Sequence, residues 1–394
     1  MKQLLSALLL STALLLPAQA KSDELRGTGD LGLIIERATG AALIVETTDN
    51  TILKQVQGLG DVSHASAVYS RDERYAYVFG RDGGLTKIDM LKGVIEKRVV
   101  QGGNSIGGAI SDDGTLIAVS NYEPGGVKVF DAASLELVAD IPAAYGDDDD
   151  VRSKVIGLVD LPGRRFAFTL WDAGETWIAD FSAEGAPQIS KLDNIGEYPY
   201  DALVTGDGRH YIAGLFGEDG LTHIDFWQTP LQPKRILAGY GRGERKLPVY
   251  KMPHLEGWAH ADGLFALPAI GRHEILLMDD RSFEEVGRVP VHGQPVFAMA
   301  RPDGRQIWVN FAPPHNDTIQ VIDVPSRSII KTFKPGPAVL HMEFEPRGAE
   351  VWMSVRDAGE VHVYDTSTFE KKQVLPAQKP SGIFFTARAH RLGL

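Results

Sequence analysis

Histidines and basic residues recur in this chain at one kind of place, the start of a short apolar run. His64 stands just before ASAVYS, Arg152 and Lys154 just before VIGLV, and His341 inside VLHMEFEP. His254 and His260 bracket LEGWA in MPHLEGWAHADG. Asn104 with Ser105, Tyr200 with Asp201, Gln294 and Ser381 hold corresponding places elsewhere. Neutral imidazole is a good iron ligand, and guanidinium or ammonium groups bind carboxylates. The set therefore points to an anionic, metal-containing ligand such as a haem. Taken singly, a His at a strand start is more often a hydrogen-bonded structural residue, and Arg152 or Lys154 can equally be solvated. The weight lies in several such residues sharing one position.

The elements that would position them repeat. VYSRDERYAYVFGRDGGLTKID returns as AISDDGTLIAVSNYEPGGVKVFD, VTGDGRHYIAGLFGEDGLTHID, ARPDGRQIWVNFAPPHNDTIQVID and FEPRGAEVWMSVRDAGEVHVYD. Counting weaker copies, the units close at Glu46, Asp89, Asp131, Asp180, Asp225, Asp279, Asp323 and Asp365, 42 to 54 residues apart. Each holds a run of β-branched and aromatic residues, a Gly-containing turn pair and a second run ending at the acid. The terminal Asp is suited to accept backbone N–H bonds in the next turn. Short strands at this period predict an all-β fold, an eight-bladed β-propeller. SGIFFTARA near the C-terminus reads as one more strand, expected to complete the first blade and close the ring. In such a ring the strand starts converge on a central funnel, where the site is expected.

Residues 1–20, MKQLLSALLLSTALLLPAQA, read as a secretory signal peptide, and 21–394 as a single propeller domain. A periplasmic location follows, with no membrane span or lipid anchor in the mature chain. The absence of Cys removes disulfides, Cys-ligated metal sites and a CxxCH haem attachment. A formal charge of −12 disfavours nucleic acid as a partner. The run Asp147–Asp150 reads as a solvated loop ahead of a calcium site. GTGDLG places Gly27, Gly29 and Gly32 in a formal dinucleotide fingerprint, but LGLIIERATGAALIV after it is a hairpin pattern and not a helix. No NAD is expected.

HASAVYSRDERYAYVFGRDGGLTKIDM, SIGGAISDDGTLIAVSNYEPGGVKVFD, MPHLEGWAHADG and VLHMEFEPRGAEVWMSVRDAG carry a resemblance across the whole mature chain. It resembles the d1-domain family of cytochrome cd1 nitrite reductase, more closely the branch that serves haem d1 biosynthesis. The resemblance implies an eight-bladed propeller holding haem d1 or its precursor in the funnel. It implies His64 as iron ligand, with His341 as the alternative. Arg71, Arg81, Arg152 and Lys154 are implied as cofactor-binding cations, and Tyr122 as a residue beside the macrocycle. His254, His260 and His341 are the implied catalytic candidates, His341 resembling the NirN-type dehydrogenase branch. The implied function is a late maturation step, oxidation or oxygen insertion on dihydro-haem d1 or an earlier precursor. The alternative is a non-catalytic carrier delivering haem d1 to cytochrome cd1 nitrite reductase. A NirN-type dehydrogenase and that reductase are the implied partners.

Overall fold

The structure is a computed structural model that describes residues 26–147, 150–241 and 257–393. The strands form eight four-stranded antiparallel sheets arranged as blades. Blade 1 takes Leu31–Glu36, Ala41–Glu46 and Thr51–Gln57, and its innermost strand is Pro380–Phe385 from the chain's other end. In blades 2 to 8 the first strand is innermost: Ala65–Tyr69, Asn104–Ile110, Val155–Leu161, Pro199–Val204, Ala259–Ala261, Pro295–Ala300 and Val339–Phe344. Closure pairs Gly32 with Phe385, Leu33 with Phe384 and Ile34 with Ile383. The Tyr69 hydroxyl, fully buried in blade 2, donates to the Phe384 carbonyl at 2.6 Å across the seam. The ring therefore leaves no open inner sheet edge at the junction.

The middle strands of each blade are packed on both faces by neighbouring blades. Leu31–Glu36 and Ala41–Glu46 are buried throughout, which explains their near-continuous apolar sequences. Outer strands such as Thr51–Gln57 and Val94–Val100 are largely exposed and mix charged or polar residues with apolar ones. Trp308 and Trp352 are fully buried between blades, whereas Trp227 is 67% exposed. The GTGDLG segment runs directly into the strand Leu31–Glu36.

The repeating acids act as the sequence suggests. Asp89 Oδ1 accepts the Leu91 and Lys92 N–H groups, Asp279 those of Arg281 and Ser282, and Asp365 those of Ser367 and Thr368. Glu46 does the same for Thr48, Asp49 and Thr51. These bonds hold the Asp89, Asp279, Asp365 and Glu46 carboxyls below their ordinary range despite opposing burial at most of them.

The innermost strands are not regular. Register breaks at Ile156/Val159, Pro199/Ala202, Pro295/Ala298 and Val339/Met342, each time near the strand's start. The closing strand breaks likewise, opposite Ile34/Glu36. The extra residues are Gly157 with Leu158, Tyr200 with Asp201, Val296 with Phe297, Leu340 with His341, and Ser381 with Gly382. A β-bulge leaves backbone groups unpaired and re-aims side chains. The neighbouring second strand meets that need with one polar residue. Thr169 Oγ1 donates to the Ile156 and Tyr200 carbonyls, Asn310 Oδ1 accepts the Phe297 N–H, and Ser354 Oγ accepts the His341 N–H. Gly157 sits at φ 54° in its bulge, and a Cβ there would lie 2.8 Å from the Tyr200 carbonyl oxygen.

Candidate functional site

The bulged residues line the axis. At the front, where the innermost strands begin, a cavity of about 560 Å³ is bounded by Arg37, His64, Arg81, Tyr122, Tyr200 and Arg356, with apolar walls from Phe297, Phe311 and Leu340. Behind it a chamber of about 220 Å³ shares Arg37, His64, Phe297 and Leu340 with the first and adds His341, Ser381 and Arg388. A third cavity, about 530 Å³, opens at the rear among His260, Asp280, Arg301, Glu343, Arg388 and Arg391.

His64 belongs to both front spaces. Its Nδ1 is buried with no hydrogen-bond partner. Burial, then the charges of Arg81 and Arg37, push its pKa down to about 4, so the ring is neutral at pH 7. An imidazole with an unengaged lone pair is the form a metal requires. His341 differs. Its Nδ1 accepts the Ile383 N–H at 3.2 Å, which places the ring proton on Nε2. Burial and Arg388 lower its pKa to about 3. His341 thus presents an N–H donor, and ligating iron through Nε2 would require giving up the Ile383 bond.

Three arginines ring the mouth, each immediately after a blade's second strand: Arg37 after Leu31–Glu36, Arg81 after Tyr75–Gly80 and Arg356 after Glu350–Val355. These strands belong to the adjacent blades 1, 2 and 8. Arg356 is paired with Asp357 at 2.7 Å. Arg37 Nε is buried without a partner, and Arg81 lies over the Tyr122 ring at 5.9 Å. The Tyr122 hydroxyl is hydrogen-bonded to Tyr200, and burial raises its pKa. The equivalent positions on blades 4 and 5 carry Trp171 and Phe216, whose centroids are 5.0 Å apart. Tyr198 stacks on Trp171 at 5.0 Å, and Tyr200 meets it edge-on at 5.7 Å. The mouth is cationic on one side and aromatic on the other.

Of the residues singled out by sequence, His64, Arg81, Tyr122 and His341 converge here. Others do not. Arg71 lies at the rear, where Nη2 donates to the Ser111 carbonyl at 2.8 Å and contacts Asp160 at 3.4 Å, while Nη1 donates to the Ala389 carbonyl. It pins the C-terminal segment and does not line the front cavity. Arg152 is paired with Asp140 at 3.0 Å and Lys154 with Asp172 at 3.4 Å, and neither cation lines the front cavity. His260 stacks on Phe265 at 4.5 Å, bonds Asp280 at 2.8 Å and faces the rear cavity. Its innermost strand is only three residues long, Ala259–Ala261, with His260 at its centre. His254 lies outside the described residues. Sequence reading missed Arg37, Arg356, Phe297 and Arg388. The first two had a signal: they occupy the position of Arg81 in their own repeats.

Among the described residues no helix is long and apolar enough to cross a membrane. The family model for the cytochrome D1 heme domain matches residues 26–389. The protein NirF of Stutzerimonas stutzeri is 58% identical over 387 residues, covering 98% of this chain and 99% of that one. The NirF of Pseudomonas aeruginosa is 57% identical, covering 96% and 97%. The dihydro-heme d1 dehydrogenase of P. aeruginosa is 30% identical over 81% of this chain and 64% of its own length. Among solved structures, the dihydro-heme d1 dehydrogenase NirN in complex with DHE superposes with a TM-score of 0.80 at 26% identity, covering 93% of this chain and 78% of that one. The propeller is thus that of a known lineage, and the chain belongs to the cytochrome d1 haem domain family, within its NirF branch.

Proposed function

We propose that the chain binds haem d1 or a late precursor of it in the front cavity and takes part in a late maturation step on the macrocycle. The observation that carries this reading is His64: a neutral imidazole whose Nδ1 has no hydrogen-bond partner, between two cavities, beside two arginines with no carboxylate partner among the described residues. The residues fit the group. His64 would hold the iron. Arg37 and Arg81 would take peripheral carboxylates, Arg being suited to bidentate recognition. Phe297, Leu340 and the Trp171–Phe216 side would cover apolar edges. His341 would offer its Nε2–H to an acceptor on the macrocycle. When bound, the iron macrocycle supplies the redox chemistry, and the protein supplies orientation, donors and exclusion of water. The step is oxidation or oxygen insertion on a ring substituent, in the periplasm after removal of residues 1–20. A NirN-type dehydrogenase and cytochrome cd1 nitrite reductase are the downstream partners of this reading.

Anaerobic reconstitution with haem d1, dihydro-haem d1 and earlier precursors tests it. Absorbance reports iron ligation, and product analysis reports conversion in the presence of an electron acceptor. Binding with conversion of one precursor is expected. Binding without conversion of any would leave a carrier that delivers the cofactor. An unchanged spectrum in His64→Ala would remove the ligand assignment.

A further inference from the structure

Beside His341, the chamber behind the front cavity holds two donors, Ser381 and Arg388, that the proposed macrocycle seat does not use. Ser381 is 4% exposed, and its Oγ has no hydrogen-bond partner. His341 lines the same space with its proton on Nε2, because Nδ1 is taken by the Ile383 N–H. Arg388 is tied back at one point only, Nε to Glu343 Oε1 at 3.1 Å. Its Nη1 and Nη2 make no hydrogen bond among the described residues. The guanidinium packs over the Phe384 ring at 5.2 Å, which fixes its plane, and it lines the chamber.

Buried polar groups almost always find partners, so an orphaned hydroxyl beside a half-engaged guanidinium calls for one. A hydroxyl, a neutral imidazole N–H and a guanidinium fork are complementary to an anionic oxygen pair. The space is about 220 Å³, with Phe297, Leu340 and Phe384 among its walls. That suits a carboxylate-sized group and is too small for a tetrapyrrole. Asp201 also lines the chamber, and its Oδ1 accepts the Ala202 N–H at 3.0 Å. Ser381 and His341 both stand in innermost-strand bulges, so the fold itself delivers them to the axis.

We propose that this chamber is a subsite for a carboxylate or small oxyanion, held by Arg388, Ser381 and the His341 Nε2–H. Where the anion is a carboxylate of the macrocycle, the inference rests on the reading of the front cavity as a tetrapyrrole seat. A free formate-sized anion would fill the chamber without any tetrapyrrole.

The test has two arms, each run on the wild type, Ser381→Ala and Arg388→Met. In the first, ligand-free protein is titrated with sodium formate and sodium acetate at constant ionic strength, with chloride as the control, and the unfolding midpoint is read. In the second, protein is reconstituted with haem d1 and with its fully methylated ester, and affinity is read from the His64-dependent absorbance. A macrocycle carboxylate in the chamber predicts that the free acid binds about ten- to a hundredfold tighter than the ester in wild type, with that ratio falling by about tenfold in either variant. A free anion predicts a formate- or acetate-dependent rise in the midpoint that both variants lose. Variants that keep the wild-type ester ratio, together with no midpoint shift in wild type, would overturn the subsite while leaving the His64 seat standing. Failure of wild type to bind haem d1 would overturn the seat, and the formate arm would still decide the chamber. Ser381→Ala keeps the test open if Arg388→Met, which leaves Glu343 without its cation, does not fold.

Discussion

The two ends of the propeller axis use the same residue types in opposite states. At the front, His64 Nδ1 and Arg37 Nε are buried without partners, and Arg81 lies over the Tyr122 ring with no ion pair among the described residues. At the rear, His260 is bonded to Asp280, Arg301 to Asp303, and Arg71 to the C-terminal segment and Asp160. Buried cations normally carry their own counter-charge. Where they do not, a ligand is the economical explanation. Chemistry is therefore expected at the front, and structural anchoring at most of the rear.

The largest effect should separate the two histidines. His64→Ala is expected to abolish the iron-ligation absorbance of the reconstituted protein, while His260→Ala leaves it unchanged. Equal loss in both would erase the distinction between the ends.

Next come the cations. Arg37→Met and Arg81→Met should each weaken binding of haem d1 by about ten- to a hundredfold, the worth of a charge-assisted pair. Arg152→Met and Lys154→Met, whose charges are already paired, should change affinity by less than about twofold. Equilibrium titration by absorbance measures all four.

Arg71→Met should act on stability and not on binding. It strands the buried Asp160 and frees the C-terminal segment, so a loss of ~1–3 kcal/mol in urea unfolding is expected, below the figure for a fully buried pair because Arg71 is partly exposed. Haem affinity should stay within about twofold. A selective fall in affinity would move Arg71 into the site.

The smallest and most gradual effect is with pH. Burial pushes the Asp160 carboxyl up to about 6, above its unfolded value near 3.8. A raised carboxyl contributes stability that is present below pH 4 and is lost as pH rises through about 6. Asp225, bonded by Arg209 and the Trp227 N–H, is pulled down to about 2. Its contribution is present above pH 4 and is lost as pH falls toward 2. Denaturant unfolding between pH 4 and 7.5 should show a slope that Asp160→Asn flattens, and below pH 4 one that Asp225→Asn flattens. Unaltered slopes would remove both assignments.

Much of the architecture was legible because it is periodic. The acids from Glu46 to Asp365 marked the blades, and SGIFF matched the innermost strand that blade 1 lacked. The same repeat held the clue to Arg37 and Arg356, which follow their second strands as Arg81 does. Even the bulges left a trace: Thr169, Asn310 and Ser354 are the penultimate residues of second strands that are otherwise apolar after their first residue, each serving a bulge opposite. The failures also have a physical reason. Arg71, Arg152 and Lys154 lie near strand ends like the residues that line the front cavity, but nearby acceptors, the Ser111 carbonyl, Asp140 and Asp172, capture them.

The sequence by itself determined the ring, its closure and its turns, because local alternation and repetition encode them, whereas His64 as candidate ligand came from the family resemblance. Only the tertiary structure decided which charges remain unpaired and which bulged side chains reach the axis. Both depend on what stands opposite, often in another blade or at the other end of the chain, as when the Ile383 N–H fixes the proton on His341.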